Sequence, residues 1–244
     1  MFFFKVEPFE IKTEPLFFPV TCHFIIIHIG VTNMKLSTLA KLTLIGLGYV
    51  YTIKLVSTFY RGIFGVAAVA GTVAGLNILA GLVQLLFFIT LYRQFVPKEK
   101  QALGFAAGLS IAGSVVALLP KVFALFQLIG PPAAFGFMSI QAYAFGPWLA
   151  AVLLLTFSFL FFRDDSFSHN KPLRWAFAVG AVGWFIMASA QSLVVVQYLS
   201  TGRLVWFRQL FAAGPIVFVT LSGITFLCLC GFYLAFARLD TTTP

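Results

Sequence analysis

Charge is what this chain has least of. Of its 244 residues 9% are charged and seven are acidic, where soluble domains carry about 25% charged residues. Glu7, Glu10 and Glu14 lie near the start, and Glu99, Asp164, Asp165 and Asp240 lie in loops or at the C-terminal end, so no long apolar stretch contains a carboxylate. Proton-coupled transport generally relies on carboxylates at membrane depth, and this chain offers none. Histidine is nearly as scarce: after Met34 only His169 is left, in a loop, and a haem held inside a bundle would have no axial ligand. Cys22, Cys228 and Cys230 are too few for a disulfide framework, and the last two share an apolar segment where a free thiol behaves as a small hydrophobe. The last two apolar segments hold no lysine for a retinal Schiff base, and P-loop, GxSxG, HExxH and CxxC motifs are missing. No catalytic residue, metal site or cofactor is therefore expected.

What the chain has in abundance is apolar surface, with 61% hydrophobic residues and a mean hydropathy of +1.01. A bilayer is the solvent for such a surface. Spanning helices need about 20 apolar residues, and six such stretches occur, at about 42–60, 63–91, 102–119, 139–162, 173–199 and 209–237. The expected fold is all-α: a polytopic transmembrane bundle of six spans occupying residues 34–244 as one domain. Lys54 and Lys121 are the only charged side chains near membrane depth. The first stretch, with Gly46, Gly48 and Lys54, could instead lie along the interface as an amphipathic helix.

Basic residues settle the span count, because cytoplasmic loops carry the excess of Lys and Arg. Six spans put eleven of them on one side and five on the other, or nine against five without the first 33 residues, whereas five spans divide them evenly. Both termini are thus expected in the cytoplasm. The net charge of +9 is spread over loops without a basic run, which reads as membrane orientation and not as nucleic-acid binding.

Residues 1–33 differ from the rest, holding three of the seven acidic residues and two of the three histidines. Pro19, His23 and His28 interrupt their apolar run, and there is no small-x-small cleavage site of a signal peptide. Met34-Lys35-Leu36 reads as a bacterial start, so these residues are expected to be an extension outside the native chain.

Within the spans, Ala70, Ala74, Asn77, Gly81 and Gln84 share one face of the second helix, which must look into the bundle. Small residues let helices approach closely in lipid, and amides bond across them. Gly104, Gly108 and Ala112 in the third helix, and Gly180, Gly183 and Gln191 in the fifth, form similar faces, so these three helices are expected to pack on one another. Asn77, Gln84 and Gln191 would line any cavity. Pro120 is expected to close the third helix, with Lys121 reaching its ammonium out to the headgroups and residues 122–129 forming an interfacial turn. Pro147 should kink the fourth helix. The loop from Arg163 to Lys171 is the densest polar cluster and reads as a solvated turn. Two apolar-aromatic runs, 85–88 before Arg93 and 155–162 before Arg163, echo each other faintly.

The segments Leu91-Tyr92-Arg93, then 98–104 (KEKQALG), and Leu173-Arg174-Trp175 entering a Gly/Ala-rich helix resemble a family of small bacterial integral membrane proteins of unknown function. That resemblance implies a six-helix protein of the bacterial inner membrane and carries over no functional residue. The leading expectation is a non-enzymatic membrane module, with the lipid bilayer and a second copy or another membrane protein as partners. The alternative is a carrier or binding protein for a neutral or lipid-like small molecule.

Overall fold

The computed structural model describes residues 34–59, 67–96, 100–129, 136–165, 170–202 and 214–238. Among them six helices occur and no strand: α1 (Leu36–Phe59), α2 (Ala67–Phe95), α3 (Gln101–Ile129), α4 (Gly136–Arg163), α5 (Lys171–Thr201) and α6 (Gly214–Ala237). Each contains a segment long and apolar enough to cross a membrane, α1 included. They form one unit, Lys35–Pro244. Residues 1–33, the expected extension, lie outside the described residues.

Helix ends are written locally. At the start of α5 the Asn170 side chain accepts from the Leu173 N–H at 3.2 Å, and Pro172 sits in the first turn, where its missing donor costs nothing. Gly202 ends the helix in the left-handed conformation, φ 65°, its N–H donating to the Tyr198 carbonyl at 2.8 Å. Inside the helices hydroxyls bond back to the preceding turn, Thr43 to Leu39, Ser110 to Ala107, Ser114 to Ser110 and Ser192 to Ala188. Polar groups are thereby satisfied where lipid offers no partner.

The helices pack mainly in chain order, each against its two neighbours, with α6 returning to α1 to close a ring. This corrects the expected mutual packing of α2, α3 and α5: α2 does pack on α3, but α5 sits between α4 and α6. The centre of the ring is filled at one end by aromatic side chains from four helices. Phe87 and Phe88 of α2, Phe157 and Phe161 of α4, Phe177 of α5, and Phe232, Tyr233 and Phe236 of α6 are all fully buried. Their rings meet mostly edge to face, Phe87–Tyr233 at 4.9 Å, Phe88–Phe157 at 5.4 Å and Phe177–Phe232 at 5.8 Å. Such pairs contribute about 0.5–1.5 kcal/mol each beyond area burial, which matters in lipid because no hydrophobic effect drives helices together there. The two echoing runs of the sequence supply four of these rings. This end of the ring is also the basic one, since Arg93, Arg163, Lys171, Arg174 and Arg238 all lie at helix ends beside it.

The third helix is longer than expected. It does not stop at Pro120 but runs on to Ile129. Proline frees the carbonyl four residues earlier, here that of Val116, and the α4 residue facing it is Gly146. A Cβ at Gly146 would lie 3.4 Å from the Pro120 ring and 3.6 Å from the Val116 oxygen. The absent side chain lets α4 cover the break, and the helix continues.

Candidate functional site

The bundle interior is where polar groups and apolar helices meet. On α2, Asn77, Gln84 and Leu91 form a row at seven-residue spacing, and Leu91 with its neighbour Phe88 is completely buried. That row faces into the ring. On either side of it α2 makes close approaches, Ala80 to Gly46 of α1 and Gly81 to Leu118 of α3. On α5 an equivalent row holds Phe177, Trp184 and Gln191, of which Phe177 and Trp184 are buried and Gln191 half-buried. The structure thus sets Asn77 and Gln84 on one inner wall and Gln191 on another.

Among the packing glycines three mark tight contacts. A Cβ on Gly81 would meet Leu118 Cδ2 at 2.5 Å, one on Gly180 would meet Phe232 Cδ2 at 2.8 Å, and one on Gly183 would meet Cys228 Cβ at 2.9 Å. Gly104 and Gly108 differ, as the first would meet only Val96, at 3.7 Å, and the second nothing within 4 Å. The close approach on α3 comes instead at Gly113, against Leu154, Leu153 and the Ala150 carbonyl of α4. A stripe of small residues marks a helix face without saying what covers it.

Lys121 departs most from expectation. Its Nζ lies 3.1 Å from the position a Cβ on Gly81 would take, and Gly81 is the midpoint of the 29-residue α2. At 1.5 Å per residue that is about 21 Å from either helix end. The ammonium is therefore held at mid-membrane height against α2 and does not reach out to the headgroups. Because α3 continues past Pro120, Lys121 is an internal helical residue with no route to the interface along its own chain. The Lys54 side chain lies outside what is described.

Two further interior groups escaped sequence reasoning. Tyr233 is fully buried and Trp184 is 4% exposed, yet the Tyr233 hydroxyl and the Trp184 Nε1–H have no hydrogen-bond partner, as is also true of Ser158 Oγ. The Gln84 amide lies beside the Tyr233 hydroxyl, outside hydrogen-bond geometry. Native proteins pair more than nine in ten buried polar groups. Aromatic residues in apolar segments read as core, so no signal in the sequence set these apart. Trp148 provides the contrast, its Nε1–H donating to Ser192 Oγ at 2.9 Å and tying α4 to α5.

At the basic end the Arg163–Lys171 loop acts as structure. Asp164 forms an ion pair with Lys100 at 3.2 Å, joining it to the connection before α3, and Arg174 stacks over Phe162 at 5.2 Å. His169 lies outside the described residues, and among those described no group of three or more metal-ligating side chains occurs.

No protein-family model, curated protein or solved structure matches this chain. The resemblance to small bacterial membrane proteins is accordingly left without support, and the interior geometry alone carries the functional argument.

Proposed function

We propose that this chain is a non-enzymatic, multi-pass membrane protein whose ring of helices binds a small lipid-like molecule at mid-membrane depth. One observation supports this above the rest: the Tyr233 hydroxyl and the Trp184 Nε1–H lie buried and unpaired on a bundle whose other interior hydroxyls are mostly satisfied. Leaving a buried donor unmade costs about 1–3 kcal/mol, and phenylalanine would fill either position without that cost. An acceptor delivered by a ligand removes it. Mass spectrometry of the protein released intact from detergent should find one small molecule retained per chain. Recovery of the bare chain, together with a melting temperature that membrane lipid extract leaves unmoved, would refute the reading.

A second reading is favoured by Gly108, which has open space around it, beside the exposed Ala112. That face of α3 is open to a second copy of this chain or another membrane protein, packing being the main source of helix association in lipid. Under it Gly108→Leu lowers the oligomeric state in detergent while leaving the monomer fold intact, and an unchanged state speaks against it. In either case the excess of Lys and Arg at the end bearing Arg93, Arg163, Lys171, Arg174 and Arg238 favours placing that end, with both termini, in the cytoplasm of a bacterial inner-membrane protein.

A further inference from the structure

Resting on the binding reading above, we infer that the ligand presents an oxyanion, a carboxylate or phosphate, to Lys121 and to the buried donors around it. The inference follows from what the interior can and cannot supply. Lysine ammonium and tryptophan Nε1–H only donate, tyrosine hydroxyl donates, and the amides of Asn77 and Gln84 donate through nitrogen. None of the six helices contains Asp or Glu. The polar interior is therefore rich in donors, and its only formal charge on the described side chains is positive. A cation would find no carboxylate there, and a hydrocarbon would leave the donors as they are. An oxyanion accepts from several of them at once and gains from the ammonium, in a medium where charge interactions are weakly screened.

The donors also share a height. The Lys121 Nζ rests against Gly81, Gly81 is three residues from Gln84 on the same helix, and residues so spaced are surface neighbours. Gln84 lies beside the Tyr233 hydroxyl. On the opposite wall Gly183 packs on Cys228 and Leu229, which sets Trp184 one helical turn from Tyr233. Below them the fully buried rings of Phe87, Phe157 and Phe232 seal the basic end, so an oxyanion held here would stand on an aromatic floor. A membrane amphiphile with an anionic headgroup and a free small anion both carry this chemistry.

Binding of radiolabelled palmitate, hexadecanol and acetate to the full chain in detergent separates the cases. Palmitate should bind saturably, with hexadecanol, which has the same tail and no charge, weaker by about tenfold or more. Lys121→Met should erase that difference by weakening palmitate alone, Lys121→Arg should preserve it, and Trp184→Phe should lower palmitate affinity with the melting temperature held. Acetate bound as tightly as palmitate, and lost in Lys121→Met, assigns the site to a small free anion and upholds the oxyanion. Equal binding of palmitate and hexadecanol, unaltered by Lys121→Met in a protein that melts like the parent, overturns the oxyanion while the binding reading survives. If none of the three probes binds and no small molecule copurifies, both fall together.

Discussion

Replacing Gly183 by alanine places a methyl group where α5 and α6 already touch, and its cost can be worked from the contact it would make. The new Cβ would lie 2.9 Å from Cys228 Cβ, well inside van der Waals contact. Cys228 Cβ is fixed to the α6 backbone, so no rotamer change relieves the overlap and the helix itself must move. One turn further along α6, Phe232 is locked among Phe87, Phe157, Phe177 and Phe236, which resists that movement. Overpacking of this kind costs about 1–3 kcal/mol. Alanine in place of glycine returns about 1 kcal/mol of helix propensity, and Gly108→Ala, a mid-helix change with nothing within 4 Å, gains the same return without the overlap. Propensity cancels between the two variants, so the difference between them isolates packing. Reversible unfolding in mixed micelles with rising SDS should rank Gly108→Ala at or above the parent, and Gly183→Ala below Gly108→Ala by about 1–3 kcal/mol. A Gly183→Ala protein as stable as Gly108→Ala would show that the α5–α6 seam is looser than described.

Trp148→Phe removes the donor to Ser192 Oγ while Ser192 keeps its bond to Ala188, so the same titration should find a loss of about 0.6–2 kcal/mol; no loss would mean the bond does not hold α4 to α5. Phe157→Ala opens a void among Phe88, Phe161, Phe177 and Phe232 and should cost about 3–5 kcal/mol, with stability near the parent's counting against a tightly filled core. Gly202→Ala forces a side chain into the left-handed conformation at φ 65° and should cost about 1 kcal/mol, seen as faster amide exchange over the last turn of α5. Asp164→Asn breaks an ion pair whose lysine is 44% exposed; surface pairs contribute about 0–1 kcal/mol, so any larger drop, or one insensitive to salt, would contradict a solvent-screened role.

The six spans were legible because apolar runs of membrane length have one common solution, and α5 was legible to its ends because Asn170, Pro172 and Gly202 write both caps. The end of α3 was not. Pro120 beside Lys121 carries the usual mark of a stop, and only Gly146, 26 residues away on another helix, removes it. The same continuation decides Lys121, which a true helix end would have released to the interface. Gly81, Gly180 and Gly183 sit in tight seams while Gly104 and Gly108 do not, although all five belong to similar stripes. Spacing gives the direction of a face, and the partner across it is set by ring order, which hydropathy does not encode. Tyr233 and Trp184 were silent for a related reason: whether a buried hydroxyl or indole is paired depends on side chains from other helices.

The crossing of Pro120 with Gly146 ties two distant positions into one evolutionary unit. A methyl at 146 would press on the Val116 carbonyl and the pyrrolidine ring together, so position 146 becomes free to grow only after 120 regains an N–H and draws that carbonyl back into its own helix. Homologous chains should therefore change the two sites in a fixed order, proline lost first and glycine second, and the intermediate carrying a bulkier 146 against an intact Pro120 should be the one that natural sequences avoid.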